Sequence, residues 1–243
     1  MSLENIIKFS LNIFIVFVSY WIMLILGIDD AGRGPVIGPM VLAGVLATPE
    51  IEKEFVKLGI RDSKMLLPKK REALAKEIRE KSLGVHAVII SVHEIDGKDN
   101  NNLNLNDREA IAAAQIINKL NKKKEQIKVV IDCPSVNLNA WKEYVERFVI
   151  GKSNLTIVCE HKADVNHISV SAASIIAKTT RDGEIEKIKK EIGANFGSGY
   201  SSDPTTRKFV YEQYDKYKDK GIFRESWGTI KTHKAHATQK KLF

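Results

Sequence analysis

The chain has 243 residues, of which 44% are hydrophobic and 28% charged; this composition is that of a globular protein and excludes a disordered or fibrous one. The formal net charge of +8 and the pI near 9.3 favour a polyanionic partner. Residues 204–243 carry much of the excess, with ten Lys or Arg and four Asp or Glu. A solvated, lysine-rich helical face would explain the charge alone equally well.

The first segment of the chain is the hardest to place. Leu11 to Leu26 is almost wholly apolar, but a spanning helix needs roughly 20 apolar residues and no small-residue cleavage site precedes Gly27. Met23 would be a natural start. We therefore expect residues 1–22 to lie outside the fold, as a wrongly assigned start or a short anchor, with membrane association only if the segment is genuine.

Apolar runs and helix signals predict the remaining elements in chain order. Strands are predicted from 24 to the acids at 29 and 30, and over 36–47, 84–92, 127–132 and 155–159. Helices are predicted over 51–58, 69–81, 108–120 with Asp107 as cap, 138–148, 169–192 and about 203–218. Trp227 is expected to anchor the tail. Strands alternate with helices only after residue 108, which predicts a mixed sheet: a meander, then two parallel strands added by crossovers.

The two cysteines, Cys133 and Cys159, lie in separate apolar segments without metal-ligand spacing. They are predicted to be buried free thiols in a reducing, cytoplasmic compartment.

Carboxylates follow three of the predicted strands: Asp29 and Asp30, then Asp132, then Asp164. If these strands are parallel neighbours, their carboxyl ends share one edge of the sheet and the acids converge. Carboxylates without His or Cys select Mg²⁺ or Mn²⁺, and two such ions are a standard device for phosphodiester hydrolysis. The alternative is that the acids are separate helix caps or salt-bridge partners.

A glycine-rich turn, Gly32-Arg33-Gly34, directly follows the first two acids. Its glycines allow the backbone to approach a ligand closely, and the guanidinium of Arg33 suits a phosphate. An ordinary surface turn is the alternative.

Four motifs in register carry a resemblance to a known family. They are GIDDAGRGP from Gly27, DSK from Asp62, AD at Ala163 with VSAASIIAK from Val170, and GSGY from Gly197 with DPT from Asp203. Together they resemble the type 2 ribonuclease H family (ribonuclease HII) in its archaeal form, over residues 23 to about 230.

The resemblance implies an α/β, ribonuclease H-like fold: a five-stranded mixed sheet flanked by helices. The catalytic domain would span 23–195, and a basic helical C-terminal extension 196–243. It implies an endonuclease that cuts the RNA strand of RNA–DNA hybrids and incises 5′ of single ribonucleotides in duplex DNA. The products would carry 5′-phosphate and 3′-hydroxyl ends, and the enzyme would act as a monomer.

The resemblance also assigns roles to residues. Asp29, Asp30, Asp132 and Asp164 would be the catalytic acids and would bind the metal, two Mg²⁺ or Mn²⁺ ions. The turn Gly32-Arg33-Gly34 would sense the ribose 2′-hydroxyl through its backbone, which is the group that distinguishes RNA from DNA. Tyr200 would stack on the sugar at the RNA–DNA junction. Lys64 and Lys178 would lie near phosphates, although both could be ordinary solvated lysines.

Asp30 departs from the family, which usually has glutamate at this position. Aspartate keeps the charge but is shorter by one methylene, and adjacent residues of a strand point to opposite faces. We therefore expect reduced or Mn²⁺-biased activity relative to an Asp30→Glu variant.

The tail, Gln239 to Phe243, resembles a sliding-clamp-binding peptide with compressed and incomplete spacing, so a frayed basic end is favoured. Two other functions remain open from the residues. One is a DNA nuclease of the resolvase or integrase kind, and the other is a nucleic-acid-binding module with an impaired metal site.

Overall fold

The computed structural model describes residues 23–60 and 66–240, with side chains up to residue 235. These ranges contain five strands: β1 (Leu24–Ala31), β2 (Met40–Ala47), β3 (Gly84–Ile90), β4 (Ile127–Asp132) and β5 (Leu155–Glu160). They also contain nine α-helices: α1 (Pro49–Lys57), α2 (Pro68–Lys81), α3 (Val92–Ile95), α4 (Leu105–Leu120), α5 (Leu138–Glu146), α6 (Ala163–Asn166), α7 (Ile168–Ile192), α8 (Pro204–Tyr217) and α9 (Gly228–Lys240).

The five strands form one mixed sheet in the order β3-β2-β1-β4-β5. β2 pairs antiparallel with both β1 and β3, whereas β4 pairs parallel with β1 and β5. The predicted five-stranded mixed sheet, a meander extended by two crossovers, is therefore confirmed. Because β1, β4 and β5 run in the same direction, their carboxyl ends lie at one edge of the sheet.

Helices cover both faces of the sheet. On one face, α4 and α5 bury residues such as Ile116 and Trp141 against the strands. On the other face, α1, α2 and α7 bury Phe55, Ile78 and Ile175. Burial of these apolar side chains is the main stabilising contribution to the sheet.

The C-terminal part packs against the main body through a third apolar cluster. This cluster contains Phe209 of α8, Phe223, Ile37 from the connection between β1 and β2, and Ile185 of α7. Trp227 is partly buried against it, as expected of an anchor for the tail.

Two element boundaries differ from the prediction by three residues or more. The second strand begins at Met40 rather than Val36, because Ile37 forms a separate bridge with Phe223 of the C-terminal part. The helix predicted to begin after Asp107 begins at Leu105, because Asn104 rather than Asp107 is its N-cap. The Asn104 side chain accepts a hydrogen bond from the Asp107 amide at 3.1 Å. The Asp107 carboxylate accepts one from the Asn104 amide at 3.0 Å.

Several predictions fall on residues outside the described ranges: residues 1–22, Lys64, and the end of the tail at 241–243. Within the described ranges, no helix combines the length and the apolar character that crossing a membrane requires. The thiols of Cys133 and Cys159 are free, and Cys159 is only half-buried.

Candidate active site

Three acids meet at the carboxyl edge of the sheet. Asp29 lies near the end of β1, Asp132 ends β4, and Asp164 lies in α6, directly after β5. One carboxylate oxygen of each lies within 4.8 Å of the other two. Asp29 and Asp164 are buried, at 6% and 5% exposure, and Asp132 is half-buried. The structure therefore brings together acids that are more than 130 residues apart in sequence.

Local hydrogen bonds hold this edge in place. The Ala163 amide donates to the Asp132 carboxylate at 3.2 Å, which ties α6 to the end of β4. The Ser171 hydroxyl of α7 donates to the carbonyl of Asp164. The short helix that carries Asp164 is thus fixed to its neighbours on both sides.

The surroundings of Asp29 disfavour the ionised form of its carboxylate. Burial, and then the carboxylate of Asp30, raise the pKa of Asp29 from 3.8 to about 8. The Ser174 hydroxyl of α7 opposes this by hydrogen bonding to the carboxylate. Lys178, one turn further along α7, donates to the Ser174 hydroxyl at 2.8 Å. Lys178 is therefore linked to the acids through Ser174.

Asp30 differs from the other three acids. Among the described residues it does not join the close group of carboxylates. Burial raises its pKa to about 6, while the cations of Arg33, Lys178 and Arg224 act in the opposite direction. The structure thus places Asp30 beside the cluster, among positive groups.

The three clustered acids fit a divalent cation. The cluster offers carboxylate oxygens, the donors that Mg²⁺ and Mn²⁺ prefer. A cation would also favour the ionised form of Asp29, which burial and its acidic neighbours disfavour.

The turn after β1 is held by a buried arginine. Gly32 has φ +92, and a Cβ there would lie 2.3 Å from Nε of Arg181, so both conformation and space require glycine. Arg224 is fully buried and donates to the carbonyls of Gly32 and Arg33 at 2.6 and 2.9 Å. The backbone of the turn is therefore rigidly placed.

The guanidinium of Arg33, which the sequence suggested for phosphate, has protein partners instead. It forms an ion pair with the buried Glu109 and donates to the Asn106 side chain at 2.7 Å. Burial raises the pKa of Glu109 to about 7, and the Arg33 cation counteracts this increase. The side chain of Arg33 thus fixes the turn to α4.

Tyr200 lies beside the same turn. Its loop is tied down by the Val36 amide, which donates to the Gly199 carbonyl at 2.8 Å. Tyr200 is 38% exposed, and the Arg181 guanidinium lies 5.2 Å from its ring centroid. Its Cε1 atom would be 3.9 Å from a Cβ on Gly34. An exposed ring thus flanks the turn, with a cation behind it.

Sequence reasoning missed three charged residues that organise the site: Glu109, Arg181 and Arg224. Two of them could have been recognised in the sequence, because each is a charged residue on a helix face whose other residues are apolar. Glu109 precedes Ala113 and Ile116 on α4, and Arg181 follows Ala177 on α7. Arg224 had no such signal within a basic segment.

Comparison with known proteins identifies the family. The family model described as Ribonuclease HII matches residues 26–230. A ribonuclease HII of Methanococcus maripaludis is 43% identical over 223 residues, covering 90% of this chain and 91% of the relative.

Solved structures of ribonucleases H are similar to this one. A ribonuclease H2 of Pyrococcus horikoshii has a TM-score of 0.77 and 35% identity, covering 88% of this chain and 98% of that one. A ribonuclease HII of Archaeoglobus fulgidus, solved in complex with PCNA, has a TM-score of 0.74 and 36% identity, covering 86% and 96%. These matches confirm the ribonuclease H-like fold predicted from the motifs. The chain is therefore a ribonuclease H, a hydrolase that belongs to the ribonuclease HII family.

Proposed function

We propose that this ribonuclease H cuts the RNA strand of RNA–DNA hybrids and incises duplex DNA on the 5′ side of single ribonucleotides, leaving 5′-phosphate and 3′-hydroxyl ends. The observation that carries the proposal is the position of the Gly32-Arg33-Gly34 turn directly after the acids of β1. The amides of Arg33 and Gly34 donate to no backbone carbonyl among the described residues. They are therefore available to a ribose hydroxyl beside the acidic cluster.

The catalytic and metal-binding residues of this proposal are Asp29, Asp30, Asp132 and Asp164. Asp29, Asp132 and Asp164 would hold Mg²⁺ or Mn²⁺ directly. When bound, two such ions activate the attacking water and stabilise the leaving 3′ oxygen. Asp30 would complete the site, and the surrounding cations favour the ionised form of its carboxylate.

The substrate-binding residues would each contact a different part of the nucleic acid. The amides of the turn would contact the 2′-hydroxyl, which DNA lacks. The ring of Tyr200 would stack on the sugar at the junction, supported by the Arg181 guanidinium. Lys178, together with Lys64 outside the described residues, would lie near the phosphates.

The proposal extends to a partner protein. The relative from Archaeoglobus fulgidus was solved in complex with PCNA, and the tail from Gln239 resembles a clamp-binding peptide. Of this tail, Gln239 and Lys240 end α9, and residues 241–243 lie outside the described ranges. Deletion of residues 239–243 is expected to abolish stimulation by a sliding clamp and to leave basal incision by the monomer unchanged.

The test is incision of a DNA duplex that carries one ribonucleotide, in Mg²⁺ or Mn²⁺, with an all-DNA duplex as the substrate control. Asp132→Asn should lower the rate by more than about a hundredfold, because it removes a direct ligand rather than a group that only orients one. Asp215→Asn is the matched control, since Asp215 is 82% exposed on α8. Binding of the duplex without cleavage in either metal would contradict the proposal and favour a binding module with an impaired metal site.

A further inference from the structure

A short segment between α8 and α9, residues 222–227, runs along the back of the Gly32-Arg33-Gly34 turn. We call it the strap. Its first part pairs with the chain that follows the turn: Ile37 and Phe223 form a bridge, and the Arg224 amide donates to the Val36 carbonyl at 2.9 Å. Ile222, Phe223 and Arg224 are buried. The strap is therefore part of the packed structure rather than a loose connection.

Donors from the strap occupy all three carbonyls of the turn. Arg224 donates to Gly32 and Arg33, and Nε1 of Trp227 donates to the carbonyl of Gly34 at 3.3 Å. The Arg224 guanidinium also lies 5.0 Å from the ring of Trp227. In a planar trans peptide the N–H points opposite to the C=O. The carbonyls of Gly32 and Arg33 belong to the same peptides as the amides of Arg33 and Gly34, so Arg224 directs these two amides away from the strap. The carbonyl of Gly34 precedes Pro35, which has no N–H, so Trp227 acts on the amides through the Arg224 guanidinium beside its ring.

The other side of the strap is fixed by Asp96, which follows α3. The Asp96 side chain is 2% exposed. Its carboxylate accepts from the amides of Glu225 and Ser226 at 2.9 and 3.1 Å, and from the Ser226 hydroxyl at 2.7 Å. A buried carboxylate with three donors from one segment holds that segment in place, since charged hydrogen bonds are stronger than neutral ones.

We propose that Asp96 and Trp227 are positioning residues, which act through the strap to set the direction of the amides that sense the ribose. This inference rests on the proposed function, because it assumes that these amides contact the 2′-hydroxyl. Neither residue belongs to the acidic cluster. Their effect is on which ribose is accepted at the site, and so on which phosphodiester bond is cut.

A loosened turn would have a specific consequence. Contacts with phosphates supply sequence-independent affinity for nucleic acid, and these contacts do not depend on the strap. The amides of the turn would instead sample several directions, so that riboses one step away from the preferred position would also be accepted. The selectivity for one bond should fall while the KM stays nearly constant.

The test uses a DNA duplex with a block of four consecutive ribonucleotides, end-labelled so that each cut gives a product of different length. Trp227→Leu removes the aromatic ring beside the Arg224 guanidinium, and Asp96→Ala releases the strap at its other side. Asn118→Ala is the matched control, because Asn118 also bonds two backbone groups of another segment, the Phe148 carbonyl and the Ile150 amide. The distribution of products does not depend on how much enzyme is folded, so it separates positioning from stability.

In both strap variants we expect the share of cuts at minor bonds, relative to the main bond, to rise about fivefold, which corresponds to about 1 kcal/mol, the size of one hydrogen bond or one cation–π contact. The Asn118→Ala variant should keep the wild-type distribution. If the wild-type enzyme cuts and both strap variants give the wild-type product distribution, the role of the strap is wrong but the proposed function stands. An absence of cutting by the wild-type enzyme would overturn the proposed function, and the strap with it.

Discussion

Removal of divalent cations is expected to make the stability of this protein fall as the pH rises from about 4 to about 8. The cause is Asp29, whose pKa is raised from 3.8 to about 8 by burial and by the carboxylate of Asp30. The folded chain therefore holds a proton that the unfolded chain releases near pH 4. The contribution of this bound proton to the free energy of unfolding is fully present below pH 4. It is lost as the pH rises through the pKa of Asp29 in the folded state.

The structure sets the size of this effect. The pKa of Asp29 differs by about four between folded and unfolded chain, and each pKa unit corresponds to about 1.4 kcal/mol. The upper bound on the loss is therefore about 6 kcal/mol. Relaxation and water entry reduce such burial penalties, so we expect about 2–3 kcal/mol. That is a large part of a net stability of roughly 5–15 kcal/mol.

The assay is urea unfolding at pH 5, 6.5 and 8, with chelator or with Mn²⁺. In chelator, the wild-type protein should lose stability across this range, and Mn²⁺ should restore it at pH 8. The Asp29→Asn variant has an amide that cannot ionise at position 29. Between pH 5 and pH 8 in chelator it should lose less than half as much stability as the wild type, and at pH 8 it should be the more stable protein. The remaining loss would come from Asp30 and Glu109, whose pKa values burial raises to about 6 and about 7.

The control for this experiment is Asp215→Asn, which neutralises an exposed carboxylate on α8. It should behave as the wild type at every pH. A wild-type stability that is constant from pH 5 to pH 8 in chelator would refute the reasoning, as would an Asp29→Asn variant that is no more stable at pH 8.

Three further predictions concern single substitutions. Gly27→Ala should lower the free energy of unfolding by about 3 kcal/mol, because the new Cβ would lie 2.2 Å from the backbone carbon of Ser169; a loss under about 1 kcal/mol in urea would contradict this close approach. Asp30→Glu should raise the Mg²⁺-dependent rate about tenfold, since one more methylene lets the carboxylate reach the cluster; equal rates for both forms would refute this. Tyr200→Ala should lower kcat/KM on a single-ribonucleotide duplex by about tenfold to a hundredfold, the value of one stacking contact, and Tyr200→Phe should retain most of the activity; equal losses in both variants would exclude stacking.

The sheet was predictable because each strand has a simple local signature. An apolar run gives the strand, and for β4 the acid at its end and the proline that follows mark where pairing stops. The order of short and long connections then gives the meander and the two crossovers. The exception is the stretch from Val36, which has the apolar composition of a strand but pairs with Phe223 and its neighbours. That pairing partner lies too far along the chain for any local pattern to show it.

The acids were visible in the sequence, but the residues that hold them were not. Asp132 ends β4 and Asp164 comes soon after β5, so topology alone brings them to Asp29. Arg224 instead lies in a basic segment whose charge a solvated helical face or a polyanionic partner explains equally well, and it is fully buried against backbone carbonyls. Its partners are carbonyl groups, which every residue has, so no residue type at any spacing could have indicated the contact.

The distribution of cations in the site explains why the two adjacent acids behave differently. Both are affected most by burial, yet the pKa of Asp30 rises only to about 6, whereas that of Asp29 rises to about 8. Arg33, Lys178 and Arg224 all favour the ionised form of Asp30, while Asp30 and Asp132 oppose ionisation of Asp29. The protein therefore supplies counter-charge to Asp30 from its own side chains. Of these two acids, Asp29 is the one whose ionisation depends more on an added cation, so loading of the site should depend on Asp29 more than on Asp30.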